Sequence, residues 1–171
     1  MVNRVLCLTA DERRRGIVVA SSGNHGVAAS WAGHRWGIPV HVYVPATTPE
    51  TKLAKIRRYG AALHLAGDNY DQAYLAARQA LAAGAVGGVW VDSCSDPLAV
   101  AGHGTIGLEI AAALPEAAEV LVPIGGGGLI TGIGAALRAV APAARVSGVQ
   151  TAACPAMAAA LRDGVFYETD P

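Results

Sequence analysis

Six short runs, at 17–20, 40–44, 62–65, 88–91, 120–124 and 146–150, all but the third containing β-branched residues, alternate with longer alanine-rich stretches of helical period. Strands that alternate with helices in this way build a parallel α/β sheet, each helix carrying the chain back to the start of the next strand. The spacing predicts helices over 24–36, 49–59, 69–83, 97–114, 128–140 and 155–162. Their ends carry their own punctuation: Gly37-Ile38-Pro39 stops the first, Gly60 the second, Gly84 the third, and Pro142 follows the fifth. Asp68 and Asp96 stand where N-caps belong. A hydrophobic share of 53% suits a buried sheet, and 171 residues suffice for one well-buried domain or two modest lobes. Neither an internal repeat nor a low-complexity linker marks a boundary between lobes.

Two turns in this frame carry chemistry. The first, Ser21-Ser22-Gly23-Asn24-His25-Gly26, follows the strand at 17–20 and opens a helix. The first helical N–H groups have no partner of their own there, so the turn reads either as a cradle for an anion or as an ordinary connection capped by Ser and Asn. The second, Gly125-Gly126-Gly127-Gly128, stands between the strand at 120–124 and Leu129-Ile130-Thr131-Gly132. Four consecutive glycines waste backbone entropy unless something approaches the main chain closely. A phosphate held by backbone N–H groups fits that position, and a purely structural turn is the other reading.

Several classes are excluded. No Gly-Lys-Ser/Thr sequence follows a glycine loop, so there is no nucleoside-triphosphate P-loop. Gly102-His103-Gly104-Thr105-Ile106-Gly107 matches a dinucleotide fingerprint but follows a helix-opening sequence, Asp96-Pro97-Leu98-Ala99-Val100, and is read as accidental. A nucleophile elbow and a zinc-binding H-E-x-x-H helix are also missing. Thirteen basic and thirteen acidic residues balance, which leaves no footprint for nucleic acid or an anionic membrane; Arg13-Arg14-Arg15 reads as a solvated helix end. Without a signal peptide or a long apolar span, the expected location is cytoplasmic. Cys7, Cys94 and Cys154 are too far apart for a zinc site and read as small buried or half-buried thiols. The five histidines, His25, His34, His41, His64 and His103, are scattered and imply no metal.

Taken together, the two turns resemble the threonine/serine dehydratase (ammonia-lyase) family of pyridoxal-phosphate enzymes, whose fold is like that of the tryptophan synthase β subunit. Gly37-Ile38-Pro39, Val44-Pro45, Lys52 to Gly60-Ala61, Asp96-Pro97, Gly102 to Glu109 and Gly148-Val149-Gln150 agree in order and spacing. The resemblance thus covers nearly the whole chain and implies a three-layer αβα parallel-sheet fold, here incomplete. It implies a small lobe over 17–103, with 1–16 and 104–171 forming part of a large lobe.

The resemblance further implies pyridoxal 5′-phosphate as cofactor, its phosphate held by the backbone of Gly125, Gly126, Gly127, Gly128 and Leu129. Asn24 would bond the 3′-oxygen of the pyridine ring. Ser21, Ser22, Gly23, Asn24 and His25 would line the pocket for the substrate carboxylate, with Ser22 as the acid/base hydroxyl of racemising relatives. The implied reaction is β-elimination of serine or threonine to a 2-oxo acid and ammonia. The implied partner is a small-molecule amino-acid substrate, and whether the chain forms a homo-oligomer stays open.

Three departures qualify this. The family's Schiff-base lysine lies upstream of the region matching Asn3-Arg4-Val5-Leu6, so it is absent here. Lys52 and Lys55 are the only lysines, on what reads as an exposed amphipathic helix. The chain stops at Pro171, before the residue that contacts the pyridine nitrogen. Gln150-Thr151-Ala152-Ala153-Cys154 also lacks the carboxylates that some relatives place after this strand, so no metal site is predicted. The expectation is an inactive portion of a dehydratase; the alternatives are a non-catalytic phosphate-binding or regulatory domain, or a serine racemase-like enzyme.

Overall fold

A computed structural model describes residues 1–165. The chain divides into two compact units, Met1–Asp92 and a second from Ser93 onward. The expected large-lobe segment 104–171 therefore runs past the described residues.

The first unit is a parallel sheet in the order β3-β2-β1-β4. β1 (Ile17–Ala20) and β2 (Val40–Val44) lie at its centre, with β3 (Ala62–Leu65) and β4 (Val89–Trp90) at its edges. β1 is buried along its whole length: Ile17, Val18 and Val19 are fully inaccessible. Both faces of a central parallel strand are covered, which explains its unbroken β-branched sequence, and each such side chain contributes about 1.5–3 kcal/mol. The helices of this sheet are α3 (Asn24–Trp36), α4 (Glu50–Arg57) and α5 (Tyr70–Ala82). α5 packs Ala77 against Val18, Ala20 and Tyr43, with Tyr74 and Trp90 around them.

Ahead of the sheet lie two helices that the periodicity did not predict, α1 (Val2–Leu6) and α2 (Ala10–Arg15). The signal for α2 is in the sequence: Thr9 and Glu12 form a reciprocal capping box, Thr9 Oγ1 accepting from the Glu12 N–H and the Glu12 carboxylate from the Thr9 N–H. Arg13, Arg14 and Arg15 form its last turn, as read. The hydrogen bonds from Thr9 hold the Glu12 carboxyl below the usual carboxylate range.

The second unit pairs β5 (Glu119–Pro123) and β6 (Arg145–Val149) in parallel. α6 (Pro97–Ala113), α7 (Gly128–Val140) and α8 (Ala156–Asp163) complete it. Its core is Val122, Ile133 and Leu137. Two glycines of the false dinucleotide fingerprint, Gly104 and Gly107, have a packing role: α6 and α7 approach so closely that a Cβ on Gly107 would lie 2.8 Å from the Ile133 carbonyl oxygen. One on Gly132 would lie 2.3 Å from that of Val100.

Two expectations are corrected. Asn69, not Asp68, caps α5, its Oδ1 accepting from the Gln72 N–H, while the Asp68 N–H is taken by Gln72 Oε1. Asp96 does cap α6, accepting from the N–H groups of Leu98 and Ala99. The three cysteines are exposed rather than buried, because Cys7, Cys94 and Cys154 all fall in connections between elements.

Candidate functional site

In the first unit, β1 feeds directly into the polar turn. The Ser21 N–H donates to the Tyr43 carbonyl at 3.0 Å, tying the entry of the turn to β2, and Ser21 Oγ accepts from the Gly23 N–H at 3.1 Å. Gly26 must be glycine, since a Cβ there would lie 2.2 Å from the Ser21 carbonyl oxygen. The turn therefore doubles back tightly on itself. Gly23 is the N-cap of α3, and the first helical bond runs from the Val27 N–H to the Gly23 carbonyl. The helix consequently offers no acceptor to the N–H groups of residues 24–26, and no N-cap side chain takes one. Gly23 and Asn24 are exposed, while Ser21, Ser22 and His25 are half-buried. The N-cap of α3 is a glycine, so no N-cap side chain closes the helix start, and the helix dipole there favours an anion.

In the second unit, the tetraglycine segment links β5 to α7. The Ile124 N–H donates to the Val149 carbonyl at 2.8 Å, extending the ladder to the edge of the loop. A Cβ on Gly126 would lie 2.4 Å from Cys94 Sγ, and one on Gly128 2.6 Å from the Ser93 carbonyl oxygen. Gly127, the N-cap of α7, has φ +88°, a conformation that L side chains rarely adopt. Three of the four glycines thus have internal reasons, and Gly125 alone faces open space. Their combined effect is a bare loop from which the first N–H groups of α7 project without acceptors in the helix, and no carboxylate occurs in the sequence from 120 to 140. That donor set fits a phosphate. Thr131 Oγ1 turns back to the Gly127 carbonyl at 2.8 Å, and His103 Nδ1 lies 3.2 Å from the Gly128 carbonyl oxygen, holding the helix start from outside. An open groove of about 690 Å³ beside α7 and β6 passes Ile130, Arg138 and Val146, and does not include the glycine loop.

The remaining candidates fall elsewhere. Lys52 and Lys55 are exposed on α4, as expected from their helical spacing. Among the described residues no group of three or more His, Cys, Asp or Glu could hold a metal, and no helix is long and apolar enough to cross a membrane. His41 and His64, scattered in sequence, meet across β2 and β3. His41 Nδ1 lies 3.0 Å from His64 Nε2, and the His64 ring stacks on Tyr43 at 4.4 Å. Burial lowers both imidazoles below their ordinary range, the His41 charge adding to the effect on His64, and raises the Tyr43 phenol.

A parallel α/β chain with an uncapped polar turn after a central strand and a bare glycine loop opening a second helix has the makings of a phosphate-cofactor enzyme. The whole chain, residues 1–171, matches the family described as pyridoxal-phosphate dependent enzyme, and it belongs to that family, whose cofactor is pyridoxal phosphate. It is 43% identical over 162 residues to the L-threonine ammonia-lyase of Thermotoga maritima, covering 95% of this chain and 40% of that protein. The processed form of threonine deaminase isoform 2 from Solanum lycopersicum superposes with a TM-score of 0.91 at 30% identity, over 99% of this chain and 49% of that one. Maize serine racemase matches with a TM-score of 0.91 at 26% identity, over 98% and 50%. The chain thus spans about 40–50% of the length of these relatives. The fold is the tryptophan synthase β-like one that the resemblance implied.

Proposed function

We propose that this chain forms part of a threonine/serine ammonia-lyase, which eliminates the β-hydroxyl of a hydroxy amino acid to yield a 2-oxo acid and ammonia. The observation that carries this reading is the match over 95% of the chain to a protein named L-threonine ammonia-lyase, with both uncapped helix starts in place. The cofactor, when bound, supplies an electron sink for negative charge developing at the substrate α-carbon. The protein's tasks are then to hold the phosphate, orient the ring and fix the substrate carboxylate. The backbone N–H groups of Gly125, Gly126, Gly127, Gly128 and Leu129 hold the phosphate. Asn24, exposed at the first position of α3, offers its side-chain amide to the ring oxygen. The N–H groups at the start of α3, with Ser21, Ser22 and His25 around them, take the carboxylate. Ser22 is the hydroxyl available for proton transfer. The small-lobe division at 17–103 and pairing of chain copies belong to the same proposal, as does a cytoplasmic location, which suits three exposed thiols, none in a disulfide.

The test has two parts. Pyridoxal phosphate added to the purified chain is expected to bind reversibly, in competition with inorganic phosphate. Borohydride reduction followed by peptide mapping should leave Lys52 and Lys55 unlabelled. In a polypeptide that also carries the family's cofactor-anchoring lysine segment, L-threonine should release a 2-oxo acid, and Asn24→Ala should lower turnover about 10²–10³-fold without shifting the melting temperature. Binding without turnover in that polypeptide would favour the non-catalytic phosphate-binding domain, and interconversion of L- and D-serine would favour the racemase reading.

A further inference from the structure

His25 is the second residue of α3, yet its side chain reaches to the opposite side of β1 from the strand that anchors the turn's entry. Its Nε2 lies 3.0 Å from the carbonyl oxygen of Val91. A carbonyl only accepts, so Nε2 carries the proton and the imidazole is the donor. Val91 is fully buried and follows β4 directly; its own N–H donates to the Val18 carbonyl at 3.0 Å. The last ladder position between β1 and β4 is Val18 with Trp90. Beyond it, the imidazole supplies the donor that a buried carbonyl requires.

The turn is therefore held from two sides. Its entry is tied to β2 through Ser21 and Tyr43, and its exit to the end of β4 through His25 and Val91. Between these ties the doubling-back at Gly26 leaves almost no slack, and Gly23 and Asn24 form the exposed crest. We infer that His25 is a positioning residue, resting on the proposed carboxylate role of this turn. Its imidazole sets the direction in which the N–H groups of residues 24–26 point, and the ring itself does not ligate the carboxylate. With the proton on Nε2, the Nδ1 of a neutral ring is an acceptor, and it could donate to a carboxylate only after gaining a second proton.

The test uses the ¹⁵N-labelled chain as it stands. Long-range ¹H–¹⁵N spectra at about pH 8 are expected to show the proton of His25 on Nε2. Amide hydrogen exchange at Val27 and Val91, whose N–H groups are bonded to the carbonyls of Gly23 and Val18, should accelerate about tenfold or more in His25→Ala, as loss of one hydrogen bond implies. His25→Gln, whose side-chain amide nitrogen can take the place of Nε2, should recover most of that protection. Amides of β2 and β3 should be unchanged in both. An Nδ1–H tautomer in the unaltered chain, or wild-type exchange in His25→Ala, would overturn the inference. Titration with sodium acetate and with L-serine separates it from the reading on which it rests. Affinity at the turn that is flat between about pH 6 and 8 supports positioning through the backbone, whereas affinity that rises on acidification in wild type but not in His25→Gln makes His25 a direct ligand. If neither probe moves any turn amide while tautomer and exchange behave as expected, the carboxylate role fails and the strut stands.

Discussion

β1 and β5, the strands that open the sheets of the two units, differ sharply in what surrounds them. In β1 all four residues are buried, whereas in β5 Val122 is 2% exposed and its neighbour Leu121 is 65% exposed. The first sheet has four strands and helices to cover it; the second has two strands, with α7 packed on them. Parallel pairs are ordinarily covered on both faces, so the second unit holds its shape with one layered core while presenting apolar groups to solvent, including Leu108, Leu114, Leu121, Val140 and Val149. The same supersecondary unit thus stores its stability differently in the two places. In the first the buried side chains are concentrated on the strands; in the second they are Val122 of β5 with Ile133 and Leu137 of α7, and α6 packs closely on α7 at their glycines.

The largest expected effect follows from that contrast. Ile17→Ala empties a fully buried site and is expected to cost about 2–5 kcal/mol, whereas Leu121→Ala, at an exposed position, should change stability by less than about 0.5 kcal/mol. Urea unfolding of both variants checks this, and a comparable loss for Leu121→Ala would show that β5 is covered in solution.

Two glycines in α7, two residues apart, should respond with opposite signs. A Cβ on Gly132 meets the Val100 carbonyl oxygen at 2.3 Å, so Gly132→Ala forces the helices apart and should destabilise by about 1–3 kcal/mol. Gly134 faces open space, and Gly134→Ala should gain about 0.5–1 kcal/mol from helix propensity. Thermal melts that move in the same direction would break the account of α6–α7 packing.

Open edges on a two-stranded sheet invite pairing between copies, so the chain is expected to self-associate at high concentration. Leu121→Lys, which adds charge on β5, should shift sedimentation toward monomer. A concentration-independent monomer in the unaltered chain would argue that the exposed strands are blunted already.

The smallest effect is confined to the first unit. His41 and His64 both have imidazoles lowered by burial, so the unfolded chain binds more protons than the folded one in mildly acidic solution. Their contribution to stability is complete above the unfolded imidazole pKa, near 6.5, and declines as pH falls below it toward the folded values. The melting temperature should therefore drop on acidification more in the native chain than in His41→Gln/His64→Gln. Equal slopes would mean that the pair stays accessible enough to titrate normally.

The alternation of strand and helix, the stops at Gly37, Gly60 and Gly84, the cap at Asp96 and the glycine loop were legible because each depends on residues close in sequence, through periodicity, caps and turn chemistry. The capping box at Thr9 and Glu12 was legible by the same rule and simply lies outside the alternating pattern. What no local rule carries is which residues meet across the fold. The glycines at 126 and 128 are required by the Ser93-Cys94 segment packed against them, and those at 107 and 132 by a neighbouring helix. Cys94 is exposed although small and apolar, and His41 finds His64 only because β3 takes the edge beside β2. His25, read from its motif as part of the turn's lining, reaches a carbonyl 66 residues away because β4 pairs with β1. The chain's periodicity and turns determined the elements and the two helix starts that lack a side-chain cap. Strand order and helix contact decided what holds those donors in place, because the groups that satisfy a buried carbonyl or exclude a Cβ come from segments distant in sequence.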